Sequence, residues 1–426
     1  MMPEPMRLTP YVSLLRRNPA FRRLYSAQLV SFAGDWFATV ALLGLVLELS
    51  DSSAVASIVL VLQTGGFALA SPLAGFVADR FDRRMLLIGA DVARMPVALA
   101  FLLARDPGTL WIAFGAIALL AIGAAIFEPT SSAALPNLVD REDLGQANVL
   151  IGSAWGTMLA VGAALGGVVA ATLGRDAAFI ANAASFGLSA VLVIGIRRPL
   201  QEPRAVGSDG LPHRHESLLT AVRSAIKFAR GSRLVSAFLL SKTTFGVGTG
   251  VVLMLAVFGR DVFRAGDAGI GLLFAARGLG ALIGPFLARS IITMDDRGLL
   301  RGIAGSFLVV VGCYALFPVA PTIWLAALLT FGAHLGGGSQ WTLSTYGLQR
   351  STPDAIRGRI FSFDYGLVTM TIAISTLLAG LVAEVLLPQF AVWTMVSLIA
   401  IAGAGWVFFS RGALRAEVAR GMPAED

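Results

Sequence analysis

The sequence predicts an all-α polytopic membrane protein, and three observations carry this prediction. Only 14% of the 426 residues are charged and 56% are hydrophobic, with a mean hydropathy of +0.77, whereas a soluble domain carries about 25% charged residues. The apolar runs are about 20 residues long, which is the length of a membrane-spanning helix. A transmembrane barrel would show alternating strands of roughly 10 residues instead, and in hydrocarbon only helices or closed barrels satisfy the backbone.

Twelve apolar runs are predicted as membrane spans, in two groups of six. The first group comprises 24–48, 55–78, 85–104, 110–128, 146–172 and 177–196. The second group comprises 234–258, 268–289, 299–317, 322–345, 360–387 and 390–409. Loops with Pro, Asp and Arg follow the fourth and tenth spans, at 135–141 and 351–359. Such an echo is expected of two bundles related by a pseudo-twofold axis, as in transporters built from repeats; the alternative is that any two inner loops share Pro, Asp and Arg.

The predicted organisation has five parts: an N-terminal segment 1–23, a six-helix bundle 24–196, a polar linker 197–233, a second six-helix bundle 234–409 and a tail 410–426. Within the linker, apolar residues recur at steps of three and four from 216 to 230. That spacing predicts an amphipathic helix lying on the membrane surface.

Basic residues indicate the orientation in the membrane. With a cytoplasmic N-terminus, the inner segments hold 26 of the 33 Lys and Arg, whereas the outer loops hold four. The positive-inside rule therefore places both termini in the cytoplasm of a multi-pass inner-membrane protein. The formal net charge of +7 reflects these loops, so we expect no nucleic-acid partner.

The residue types present disfavour metal sites, cofactor sites and transport driven by ATP. Cys313 is the one cysteine, the three histidines form no zinc-type cluster, and no phosphate-binding GxxxxGK[ST] loop is present. We therefore expect no metal, no cofactor and no enzymatic activity, and the energy for any transport must come from an ion or from the substrate gradient.

A motif lies between the second and third spans, at 75–84. It reads GFVADRFDRR and contains Gly75, Asp79, Arg80, Arg83 and Arg84. A glycine permits close helix approach, an aspartate suits a helix N-terminus, and arginines bind anionic lipid headgroups. The motif resembles the signature cytoplasmic loop of the major facilitator superfamily, in which it would act as a conformational gate.

Further matches resemble the branch of that superfamily that contains enterobactin exporters and macrolide-efflux proteins. They are 21–24, 31–36, 127–129, 135–139, 147–148, 180–183 and 357–359. This resemblance implies two six-helix bundles around a central cavity, alternating access, and export of a small molecule in exchange for protons. We expect a monomer.

The fifth span departs from the pattern of many antiporters of the superfamily. It contains Gly162, Gly166 and Gly167, but Ala163 stands where those antiporters carry proline. The glycines still predict close helix packing, whereas the missing proline weakens the inference of antiport.

Ionisable residues inside spans are candidates for the functional site, because each is unfavourable in hydrocarbon by a few kcal/mol. Asp35 lies about 11 residues into the first span, roughly 16 Å deep at 1.5 Å per residue. Burial favours the neutral form of a carboxyl, so Asp35 is a candidate to load and release a proton. A helix-packing aspartate, hydrogen-bonded to neighbouring spans, is the alternative.

Asp91 and Arg94 share one face of the third span, and Glu128 ends the fourth. We predict an internal network in which Arg94 reaches Asp91 and Glu128, as a gate or structural element, with direct substrate contact as the alternative.

In the second half, Lys242, Arg277 and His334 lie inside spans. Two cations facing a cavity would favour an anionic or zwitterionic substrate, although Lys242 could instead extend to the inner interface. His334 lies among glycines that are expected to kink its span; it is either a proton relay or a structural histidine. Asp364 is interpreted as complementing the dipole at the start of the eleventh span.

The function predicted from the sequence is export of a siderophore-like, drug-like or other amphipathic small molecule. A lipid-flipping member of the superfamily would share every motif. A non-transporting sensor would keep the fold.

Overall fold

A computed structural model describes residues 9–140, 142–201 and 218–421, and none of these residues lies in a β-strand. Side chains are described within these ranges except at 9–10, 71–80, 145, 148–149, 152, 218–222, 224–225, 354–355, 357–359, 362 and 413–421.

The described residues of the first half form seven α-helices. They are α1 (Thr9–Arg17), α2 (Pro19–Ser50), α3 (Ser53–Arg80), α4 (Arg83–Leu99), α5 (Leu110–Leu138), α6 (Leu144–Leu173) and α7 (Arg175–Ile194). Helices α2 to α7 correspond to the six predicted spans. Helix α1 was not predicted, and it packs the fully buried Leu14 into the same core as Phe21 and Leu24.

In the part of the second half that the structure describes there are eight α-helices. They are α8 (Leu218–Gly231), α9 (Arg233–Gly246), α10 (Val251–Val257), α11 (Gly266–Ile291), α12 (Asp296–Leu316), α13 (Ile323–Ser351), α14 (Asp354–Val385) and α15 (Pro388–Gly421). Helix α8 covers most of the stretch 216–230 for which an amphipathic helix is predicted; its place on the membrane surface stays a prediction.

Among the described residues, eleven helical segments are long and apolar enough to cross a membrane. The predicted count was twelve. The difference is the tenth predicted span, which forms the 29-residue helix α13. At 1.5 Å per residue α13 is long enough to cross, but its middle carries His334, three consecutive glycines and Gln340, which lower its hydropathy.

Polar side chains fix several helix starts by accepting hydrogen bonds from exposed N–H groups. Asp82 accepts from the backbone N of Met85 at 3.0 Å and begins α4. Asp295 accepts from the backbone N of Gly298 at 3.2 Å and begins α12. The Thr293 hydroxyl also donates to Asp295, at 2.6 Å, and this bond holds the pKa of the Asp295 carboxyl below its usual value.

The chain divides into two compact units. Unit 1 comprises Met1–Asp51, Leu62–His215 and Ala265–Ala275, and unit 2 comprises Ser52–Val61, Glu216–Arg264 and Ala276–Asp426. Each unit thus includes a short segment from the opposite half of the chain. The start of α11 belongs to unit 1 and packs against α6. Gly167 and Gly271 permit this close contact because glycine has no side chain: a Cβ on Gly167 would lie 2.8 Å from the Cα of Gly271.

The seventh predicted span is interrupted. Helix α9 ends at Gly246 and α10 begins at Val251. Ser375 of α14 bridges the break: its hydroxyl accepts from the backbone N of Gly250 at 2.9 Å and donates to the carbonyl of Val247 at 2.7 Å. Non-helical backbone at membrane depth is tolerated where it is buried in protein or lines a water-filled cavity, and here Ser375 supplies protein partners.

Candidate functional site

The interior of unit 1 holds a cluster of charged side chains around Arg94 of α4. The Arg94 guanidinium contacts the carboxylate of Asp91, one turn earlier on the same helix, and its Nη1 lies 3.9 Å from Oδ2 of Asp35 on α2. Glu128 of α5 interacts electrostatically with both Asp35 and Arg94 at longer range. Three carboxyl groups therefore interact with one guanidinium, two of them as ion pairs.

Aromatic rings and a glycine hold Arg94 in place. Its guanidinium carbon lies 4.2 Å from the ring centroid of Phe186 and 5.2 Å from that of Phe127, distances at which a cation is attracted by the ring face. The aliphatic part of Arg94 lies on Gly123 of α5, where a Cβ would approach Cγ and Cδ of Arg94 to 2.7 Å. Arg94 is thus fixed by α4, α5 and α7 together.

Exposure divides the acids of this cluster into two kinds. The side chains of Asp91 and Arg94 are 0% and 3% exposed, whereas that of Asp35 is 24% exposed, and Glu128 is also partly exposed. Asp35 and Glu128 are therefore partly accessible, whereas Asp91 is sealed beside Arg94.

Small residues place Asp35 in the interior. A Cβ on Gly34 would meet the Ser185 hydroxyl of α7, at 2.0 Å, and Cβ atoms on Gly162 and Gly166 would come within 3.2 Å of the α2 backbone at Ala33 and Phe37. Helices α6 and α7 therefore approach α2 closely on either side of Asp35. The close packing expected of Gly162 and Gly166 is present, whereas Gly167 packs against the start of α11.

The predicted position of Glu128 was wrong. Helix α5 continues ten residues beyond Glu128, to Leu138, so Glu128 lies within the helix rather than at its end. The apolar run fades at Pro129 and Thr130, which made the span look shorter than it is. The direct ion pairs described for Arg94 are with Asp35 and Asp91, whereas the predicted Arg94–Glu128 interaction acts over a longer distance.

Unit 2 contains a buried ion pair that changes two sequence interpretations. Lys242 of α9 contacts the carboxylate of Asp364 of α14, and each side chain is 3% exposed. Lys242 therefore does not extend to the interface. Asp364 is the eleventh residue of α14 rather than its first turn, because the helix begins at Asp354. The Lys242 ammonium also lies 5.1 Å from the ring centroid of Trp341.

The other two candidates of the second half lie together. Arg277 of α11 interacts electrostatically with Tyr314 of α12 and His334 of α13. Helix α13 runs unbroken past His334, so the expected kink is not seen in its secondary structure. Its glycines instead permit close helix contact, as at Gly338, whose Cβ would lie 2.5 Å from the carbonyl oxygen of Ala281.

The structure describes the signature loop in part. Gly75, Asp79 and Arg80 belong to the stretch 71–80, for which the structure describes no side-chain contacts. Arg83 donates to the carbonyl oxygens of Ala133 and Leu200, at 2.8 and 3.2 Å. Arg84 donates to the carbonyl oxygen of Arg198 at 3.0 Å. Both arginines therefore tie the start of α4 to neighbouring main chain.

One cluster of charged residues was not predicted from the sequence. Arg175, at the start of α7, donates to Asp267 through Nε at 2.8 Å and through Nη2 at 3.3 Å, and to Glu48 through Nη1 at 2.7 Å. These residues lie far apart in the sequence, and no sequence pattern relates them to one another. Among the described residues, no group of three His, Cys, Asp or Glu side chains is placed to hold a metal ion.

Comparisons with known proteins agree with this architecture. The model of the family described as transmembrane secretion effector matches residues 9–419. The enterobactin exporter EntS of Citrobacter koseri is 28% identical over 367 residues, 82% of each chain. EntS of Shigella boydii serotype 4 is 27% identical over 364 residues, again 82% of each chain.

Solved transporters share the fold at low identity. A POT family transporter in complex with 5-aminolevulinic acid has a TM-score of 0.76 at 11% identity, covering 93% of this chain and 97% of its own. A bacterial homolog of the human lysosomal transporter Spinster has a TM-score of 0.70 at 16% identity, covering 95% and 98%. The chain therefore belongs to the transmembrane secretion effector family of the major facilitator superfamily, and it is a multi-pass membrane transporter with exporter relatives.

Proposed function

We propose that this transporter exports a small organic molecule by alternating access and that proton entry drives the export. The relatives named enterobactin exporters support an amphipathic, siderophore-like or drug-like cargo. One proton crossing 100 mV supplies about 2.3 kcal/mol, enough for roughly a fortyfold gradient at about 1.4 kcal/mol per tenfold.

The observation that supports proton coupling is the excess of acid around Arg94. With Asp35, Asp91 and Glu128 all ionised, the cluster would carry two more negative than positive charges in the membrane interior. Uncompensated charge there is unfavourable by several kcal/mol, so the cluster favours binding of protons. Asp35 and Glu128 are the partly exposed members, and we assign proton loading to them.

The test is transport by purified protein in vesicles with an imposed pH gradient. Asp35→Asn should abolish gradient-driven movement of a cargo while leaving exchange of labelled for unlabelled cargo, which needs no net proton movement. Asp51→Asn is the matched control, because it removes the same charge from the exposed residue after α2.

Wild-type rates of gradient-driven transport in Asp35→Asn and in Glu128→Gln would rule out the assigned proton site. Scrambling of fluorescent lipid in the same vesicles, without efflux of small molecules, would instead favour the lipid-flipping alternative.

A further inference from the structure

A buried tyrosine–histidine pair lies beside Arg277 in unit 2. The hydroxyl of Tyr314 lies 2.8 Å from Nε2 of His334, and the two rings meet edge to face with centroids 5.9 Å apart. Tyr314 is 1% exposed and His334 is 6% exposed. Their hydrogen bond therefore forms in a protein interior, where it fixes the orientation of both rings.

Helix packing directs Arg277 toward this pair. Gly280 lies three residues after Arg277, on the same face of α11. A Cβ on Gly280 would approach the carbonyl oxygen of Phe331 to 2.3 Å and Cβ of His334 to 2.9 Å. The face of α11 that carries Arg277 thus packs on α13 at His334, and Arg277 interacts electrostatically with both Tyr314 and His334.

Arg277 is partly exposed as a residue, although it is the twelfth of the 26 residues of α11, and its Nε is buried. A guanidinium presents five N–H donors in a planar fork that matches the oxygens of a carboxylate or phosphate, and its charge persists when it is surrounded by protein. A guanidinium on a rigid tyrosine–histidine support, at a residue that is itself partly exposed, is suited to bind an oxyanion.

We propose that Arg277 binds an ionised oxygen acid of the cargo, a carboxylate, sulfonate or phosphate group, and that the Tyr314–His334 pair positions it. This inference rests on the proposed export function and names its substrate class, organic anions. It gives unit 2 the role of recognising cargo, separate from the acid cluster of unit 1.

The test measures binding of 2-naphthoate and of its neutral isostere 2-naphthamide to the purified full-length protein in detergent. Wild type should prefer 2-naphthoate by about tenfold or more, the factor that 1.4 kcal/mol represents. Arg277→Gln should reduce this preference to about onefold, and Arg277→Lys should keep part of it. Arg297→Gln, which removes a charge from an exposed position, should keep all of it.

A further variant tests the positioning role of the Tyr314–His334 pair. Tyr314→Phe should weaken binding of 2-naphthoate severalfold without weakening that of 2-naphthamide, whereas a loss of structure would weaken both. The proton site is tested by gradient-driven transport rather than by binding, so failure of the proton site and failure of the anion site give different results.

The inference is overturned if wild type shows no preference for 2-naphthoate or if Arg277→Gln retains it. A phospholipid headgroup carries the same oxyanion chemistry, so the measurement is repeated with phosphatidylglycerol added to the detergent. Displacement of 2-naphthoate by this lipid, dependent on Arg277, would assign the oxyanion to a lipid and overturn the small-molecule version.

Discussion

Lys242 of α9 and Asp364 of α14 form an ion pair inside unit 2, although 122 residues separate them in the sequence. Removing one partner of a buried pair leaves an uncompensated charge and lowers stability by about 3–5 kcal/mol, whereas replacing both by apolar residues is often neutral or stabilising. We expect Lys242→Met and Asp364→Leu each to lower the thermal unfolding temperature markedly in detergent, and the double variant to regain most of the loss.

The same three variants report on function. If the pair serves only stability, the double variant should transport at the wild-type rate. Additive destabilisation in the double variant would contradict the pairing itself, since the effects of independent sites add.

The contact between Gly123 and Arg94 gives a second prediction. Gly123→Ala would place a Cβ 2.7 Å from two carbons of Arg94, so the guanidinium must shift relative to Asp35. Overpacking of this kind lowers stability by about 1–3 kcal/mol, and proton-driven transport should fall with it. Gly115→Ala is the control on the same helix, because a Cβ there meets nothing within 4 Å. Equal effects of the two variants on transport would show that the position of Arg94 is unimportant.

Hydropathy was sufficient to predict the long apolar helices, but not the short helix α1. Eleven of the twelve predicted spans meet the criterion for membrane helices among the described residues, because a run of about 20 apolar residues has few other stable outcomes. Helix ends were less predictable. Asp354 begins α14 and Leu138 ends α5, well beyond the apolar runs. Because these extensions were not predicted, Asp364 and Glu128 were wrongly placed at helix ends.

Partners between distant helices were the part of the site that hydropathy could not predict. The pair of Asp91 and Arg94 was expected because three residues place them on one helix face. By contrast, nothing in a single sequence relates Lys242 to Asp364, or Arg175 to Asp267, since tertiary packing alone joins them. The break at 247–250 was also missed, because the apolar character continues through it and its partner, Ser375, lies on α14.

A third prediction concerns the two acids that Arg175 contacts. The side chain of Asp267 is 7% exposed and binds two nitrogens of Arg175, whereas that of Glu48 is 56% exposed. Exposed pairs contribute about 0–1 kcal/mol, and truncating a buried charged partner removes more, about 1–3 kcal/mol. Asp267→Asn should therefore lower the unfolding temperature more than Glu48→Gln.

Gly44→Ala provides an independent check of that contact. A Cβ on Gly44 would lie 1.9 Å from Oδ1 of Asp267, so the variant should reproduce the effect of Asp267→Asn without removing a charge. Salt should diminish the effect of Glu48→Gln, because exposed charges are screened. A larger effect of Glu48→Gln than of Asp267→Asn would contradict the ranking by burial.

Ser375 gives the fourth prediction, since it satisfies both sides of the break in the seventh span. Ser375→Ala would leave the N–H of Gly250 and the carbonyl of Val247 without this partner, and an unsatisfied buried group lowers stability by about 1–3 kcal/mol. Ser306→Ala is the control, because Ser306 is similarly buried but donates only to the carbonyl oxygen of Gly302 in its own helix, at 2.9 Å. Hydrogen exchange should accelerate at 247–252 in Ser375→Ala and stay unchanged there in Ser306→Ala. Unchanged exchange in both variants would mean that water or neighbouring main chain, rather than Ser375, satisfies the interrupted helix.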